Sequence, residues 1–180
     1  MFDLDEIIKY FEDSNADMIR ENIGLFDAEV SERTLCGALS QHLLLNISKT
    51  PFKEYYVDVE YNRNEGEIKT IVDDDLIVIP INCDLIVHSR AKIIEKDNLI
   101  ALEMKKSIRP PKEKAENRKR LKILTREDYK NMQVLDGKTL PEHVCGYSLG
   151  IYYEVDFQKR KIYLEYYELG EKINEKVIGF

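Results

Sequence analysis

Asn98-Leu-Ile-Ala-Leu-Glu-Met-Lys-Lys106, read together with Cys83-Asp-Leu-Ile-Val-His88 upstream, decides the fold. Each is a short run rich in Leu, Ile and Val with charged residues at one end, the pattern of a strand buried on both faces. Alternation puts Leu99, Ala101, Glu103 and Lys105 on one face of the second run, and Ile100, Leu102 and Met104 on the other. Asp84 opens the first run. The polar link Lys92–Asn98 predicts a hairpin, so that the start of one strand lies beside the end of the next. Asp84, Glu103 and Lys105 then meet at one end of the sheet.

Two carboxylates and an ammonium at the mouth of an apolar sheet are costly without compensation. A hard divalent cation supplies it, because Mg²⁺ often takes only one or two protein carboxylates and fills its remaining positions with water and phosphate. A neighbouring lysine can orient or help deprotonate an attacking water. Three other places carry an acid two residues before a lysine (Glu67/Lys69, Asp128/Lys130 and Asp136/Lys138), but none follows a five-residue apolar run. The bland alternative is an ion pair at a strand end.

Asp84, an apolar run, then Glu103-Met-Lys105 resembles the PD-(D/E)XK nuclease superfamily. Four blocks carry the resemblance: Asp84–Arg90, Asn98–Ser107, Arg120–Thr125 and Gly146–Ile151. Cys83 stands where the family's name records a proline. The resemblance implies an α/β fold with a restriction-endonuclease-like core, a central mixed sheet flanked by helices. It implies a nuclease, a DNA endonuclease before an RNA one, leaving a 5′-phosphate and a 3′-hydroxyl. Asp84 and Glu103 would hold Mg²⁺ or Mn²⁺ with the Met104 carbonyl as a further ligand, and Lys105 would position the water. The segment Val30–Gly37 looks like the helix that often adds a glutamate, here Glu32, either through water or by holding Lys105. Two-strand cutting by relatives suggests a homodimer. The competing expectation is a catalytically silent module on the same fold, binding nucleic acid or protein.

The 180 residues suffice for one domain, with residues 1–25 as an N-terminal helical extension and a core over about 27–170. No membrane-length apolar run and no signal-peptide pattern occur, and Cys36, Cys83 and Cys145 offer neither a disulfide framework nor zinc spacing, so the expected compartment is the cytoplasm. Net charge is −7, yet residues 104–122 hold nine basic residues against two acidic. Within that stripe Lys106, Arg109, Lys112, Arg118, Lys119 and Arg120 are the expected contacts to a nucleic-acid backbone. A merely solvated helix face is the other reading of the same charges.

Along the chain, residues 2–12 pattern as a helix capped by Asp3, with a second short piece at Met18-Ile19. A helix from about Asp27 to Ile47 carries the stripe Glu32, Leu35, Cys36, Leu39 and Leu43. Tyr55–Arg63 alternates as a half-buried strand, with Asp58 and Glu60 on its solvated face. Asp73-Asp-Asp75 reads as a hairpin turn, and Leu76–Ile81 as another strand-like run or an extension of the Asp84 strand, with Pro80 marking a bulge or edge. His88 is expected to make a structural hydrogen bond. Pro110-Pro111 should start a helix over about 112–124 with Ala115, Leu121 and Leu124 inward and the basic residues outward. Thr125–Asp128 can cap another short helix, and strands at Val144–Val155 and Lys161–Leu169 should form a hairpin.

Overall fold

A computed structural model describes residues 3–61, 63–64, 67–68, 70–72, 78–80, 83–90, 92–93, 96–126 and 146–180. In chain order these give α1 (Leu4–Glu21), α2 (Ile23–Asp27), α3 (Glu32–Ile47), β1 (Tyr56–Val59), β2 (Arg63–Asn64), β3 (Glu67–Ile68), β4 (Thr70–Val72), β5 (Val78–Pro80), β6 (Leu85–His88), β7 (Asn98–Lys106), α4 (Pro111–Leu124), β8 (Leu149–Asp156), β9 (Lys161–Glu168) and β10 (Glu171–Gly179). A six-stranded mixed sheet runs β1-β6-β7-β8-β9-β10, while β2-β3 and β4-β5 form two small antiparallel pairs. Only β7 and β8 are parallel in the large sheet, and α4 makes the crossover between them. The chain is thus α/β. Among the described residues no helix is long and apolar enough to cross a membrane.

Helices α1 and α3 cover one face of the sheet. Leu35, Cys36, Leu39 and Leu43 are buried there against Leu85, Ile100, Leu102, Met104, Ile151 and Tyr153, so the predicted stripe faces the sheet. On the opposite face Leu121, Ile123 and Leu124 of α4 pack on Ala101, Tyr152 and Tyr167. The two-sided cover explains why β7 reads as a continuous apolar run. Leu99 departs from the expected alternation. A register shift between Val87 and His88 makes it a bulge residue, and it packs with the α1/α3 side.

Several helix boundaries differ from the sequence reading. Asp3 caps α1 as expected, its side chain accepting from the Asp5 amide, but the helix continues unbroken to Glu21. Ser14 and Asn15 are tolerated within it because their buried side-chain oxygens are bonded, Ser14 Oγ donating to the Tyr10 carbonyl and Asn15 Oδ1 accepting from the Tyr153 hydroxyl. The next helix does not start near Asp27. Ser31 caps α3 by accepting from the Thr34 amide, and Glu29, at φ 50°, makes the turn before it. Strand β1 ends where Glu60 takes φ 52°, which sends Tyr61 to the α4 side, against His88. Neither acid of that strand is simply solvated. Asp58 accepts from His88 Nε2 and bidentately from Arg90, and Glu60 accepts bidentately from Arg33. His88 therefore has the structural bond expected of it.

The C-terminal hairpin β8–β9 forms as expected, and β10 adds an edge strand that the sequence reading did not include. Its residues are almost all exposed, so it lacks the one-sided apolar alternation by which a strand is recognised. Pairing with β9 makes it a strand. The Asp73–Asp75 turn, the helix proposed at Thr125–Asp128 beyond residue 126, and Cys145 lie outside the described residues.

Gly150 of β8 has no room for a side chain. A Cβ there would sit 2.9 Å from Thr125 Cγ2 and 3.2 Å from Tyr167 Cβ. Thr125 cannot rotate away cheaply, because its Oγ1 donates to the Leu121 carbonyl and accepts from the Gly170 amide. Gly150→Ala is expected to lower unfolding stability by about 1–3 kcal/mol, read from urea denaturation. A change within about 0.5 kcal/mol would show that the contact relaxes freely.

Candidate active site at the β6–β7 end

Leu85 pairs with Leu102, so continuing the register by one residue sets Asp84 against Glu103. This is the juxtaposition the hairpin expectation required. Asp84 Oδ2 accepts from the Met104 amide at 2.8 Å and from Lys105 Nζ at 3.2 Å. The same ammonium donates to the Met104 carbonyl at 2.9 Å. One nitrogen therefore bridges a carboxylate oxygen and a main-chain oxygen. Lys105 and Asp84 keep 15% and 26% side-chain exposure, placing this bridge at the edge of the core.

Glu103 is only 1% exposed and faces α4. Its Oε1 accepts from Arg120 Nη1 at 2.7 Å. Burial pushes its carboxyl up to about 7; Asp84 adds to the rise, while Arg120 and Lys105 oppose it without cancelling it. Asp84, Glu103, Lys105 and Arg120 thus form one electrostatic cluster with two acids and two bases.

Glu32 reaches the cluster from the other face, at the first turn of α3. Its Oε1 accepts from the Lys106 amide at 2.8 Å, and Arg109 binds both oxygens at 3.0 and 3.1 Å. Burial works against its ionisation, but Arg109 and the Lys106 amide outweigh that and hold its carboxyl below the usual range. Its direct partners are Lys106 and Arg109. It clamps the end of β7 to α3, and Lys105 acts on it only through the field.

The basic stripe is divided by the fold. Leu121 and Leu124 face inward as expected, but Ala115 is exposed, and Lys114, Asn117 and Arg118 face the sheet instead. The reason lies in the sheet, whose α4-facing surface carries Glu103, Glu154 and Glu165. Arg118 binds Glu165 at 2.8 and 3.1 Å and stacks 3.9 Å over Tyr152. Lys114 binds Glu154 at 3.2 Å. Arg120, Arg118 and Lys114 are therefore engaged with the protein's own carboxylates. Lys106 Nζ donates to the Glu29 carbonyl and lies over the Phe157 ring. Lys112, 89% exposed, and Lys119 remain on the outer side of α4. Arg120's part in the cluster escaped the sequence reading, since nothing in a basic run marks which member a helix turns toward a buried acid.

Among the described residues no group of three or more His, Cys, Asp or Glu side chains gathers at metal-binding distance. The available donors are hard: the Asp84 and Glu103 carboxylates and the Met104 carbonyl. They fit a cation that completes its shell with water and phosphate, as Mg²⁺ and Mn²⁺ do, and they do not fit the closed sulfur and nitrogen cage of structural zinc. Cys36 and Cys83 are buried thiols with no disulfide among the described residues, and burial pushes the Cys36 thiol well up. Comparisons of the chain with protein-family models, with curated proteins and with solved structures found no match.

Proposed function

We propose that the protein is a metal-dependent nuclease with a restriction-endonuclease-like core, hydrolysing phosphodiester bonds, with DNA the first substrate to test. One observation carries the reading: a single ammonium, Lys105 Nζ, lies within 3.2 Å of Asp84 and 2.9 Å of the Met104 carbonyl, beside the buried Glu103. This is a cation-seeking cluster of oxygens with a proton-handling nitrogen attached.

Asp84, Glu103 and the Met104 carbonyl would hold Mg²⁺ or Mn²⁺. When bound, that ion supplies Lewis acidity to the phosphodiester. Lys105 orients the attacking water and, by its positive charge, favours the water's ionisation, the proton leaving to solvent. Arg120 keeps the Glu103 carboxylate turned toward α4 and compensates its charge. Glu32 anchors the Lys106 main chain, fixing the strand end that carries Glu103 and Lys105. Lys106, Arg109, Lys112 and Lys119 border this end of β7 and the outer side of α4, where contacts to phosphates would be salt-sensitive.

The test is cleavage of supercoiled plasmid and of single-stranded DNA and RNA by the purified protein with Mg²⁺ or Mn²⁺. Wild type is expected to cut, chelation to stop it, and Asp84→Ala to reduce it at least about 100-fold. If wild type and Asp84→Ala behave alike, the catalytically silent binding module is the better reading.

A further inference from the structure

Lys105 bridges Asp84 Oδ2 and the Met104 carbonyl, which belong to two of the three groups that the nuclease reading assigns to a metal ion. Mg²⁺ holds its ligands at about 2.0–2.1 Å and tolerates little departure from octahedral geometry. An ammonium donating to both groups competes with the ion for their lone pairs and repels its charge. Arg120 differs. Its rigid planar guanidinium comes from α4 onto Glu103 and, among the described residues, makes no hydrogen bond to Asp84 or Met104.

We infer that Lys105 is a place-holder, its ammonium occupying the cation position until a divalent ion displaces it, so that metal binding is an exchange in which Nζ leaves Asp84 Oδ2 and the Met104 carbonyl. This rests on the nuclease reading and adds to it a mode of regulation. Lys105 and Arg120 leave the cluster without net negative charge, which weakens affinity for a free divalent ion. The exchange also frees for the attacking water the two of the ammonium's three donors that the bridge occupies. Lysine suits both positions because its charge rides on a flexible four-carbon stem, and its side chain is 15% exposed at the rim of the site.

The experiment is Mn²⁺ titration of the full chain followed by electron paramagnetic resonance and calorimetry, without nucleic acid. Lys105→Met is expected to bind Mn²⁺ about tenfold or more tightly than wild type, because it removes both the competitor and a unit charge. Lys106→Met is the control. It removes the same charge one residue on, from an ammonium seated on the Glu29 carbonyl and the Phe157 ring, and should change the affinity less than about threefold. Equal tightening in both variants would reduce the effect to net charge and overturn the place-holder. So would a Lys105→Met affinity equal to or below that of wild type, provided Asp84→Ala abolishes binding. If no variant binds Mn²⁺, or Asp84→Ala binds it unchanged, the metal reading of the site falls as well.

Discussion

Lys105→Ala is expected to keep its fold and lose roughly 100- to 10,000-fold of metal-dependent cleavage, the range for removing a positioned acid–base group. The side chain lies at the rim, and the contacts described for it are the Asp84 carboxylate and the Met104 carbonyl. Truncating it leaves no apolar cavity. Asp84 retains the Met104 amide as a hydrogen-bond donor. Circular dichroism and the melting temperature should therefore stay near those of wild type while initial rates on plasmid collapse. Lys105→Arg should fare little better, because a planar fork cannot take the place of a compact ammonium. A Lys105→Ala rate within about threefold of wild type, under 1 kcal/mol of barrier, would remove Lys105 from the chemistry.

Glu103→Gln is expected to separate stability from activity. Burial raises the Glu103 carboxyl from an ordinary value of 4.5 to about 7 in the folded protein. Between those values the native state binds more protons than the unfolded one, so this group lowers stability as pH rises. The penalty is absent below the lower value and complete above the higher one. A shift of this size corresponds to roughly 3 kcal/mol. Glutamine mimics the protonated acid and still offers an oxygen to Arg120, whose side chain keeps 28% exposure to water. With a chelator present, the variant should exceed wild type in stability by up to about 3 kcal/mol at pH 8, and the gap should close toward pH 5. Cleavage should be lost. Chemical denaturation across this pH range measures it; a variant less stable than wild type by more than about 1 kcal/mol at pH 8 would show that the Arg120 pair outweighs desolvation.

Parts of this arrangement are legible in the chain because they are local. The apolar runs at Leu85–His88 and Asn98–Lys106, the polar link between them and Pro110-Pro111 specify two paired strands and the start of a helix. From these alone Asp84 falls against Glu103 at one sheet end. The stripe Leu35, Cys36, Leu39 and Leu43 is equally local, since helical spacing fixes which side is apolar.

Other parts depend on partners distant in sequence. The inward turn of Arg118 and Arg120 follows from the acids that the sheet presents to α4, and Glu165 lies 47 residues from Arg118. Glu32 reads as a site residue by pattern, yet its partners, Lys106 and Arg109, are 74 and 77 residues away and redirect it to the backbone of β7. Edge strand β10 exists because β9 offers it hydrogen bonds. The sequence by itself determined the apolar periodicities, and with them the strand pair that brings Asp84 to Glu103. Only the tertiary structure decided which cation answers which carboxylate, because charge pairing is set by distance across the packed layers and leaves no periodic trace along the chain.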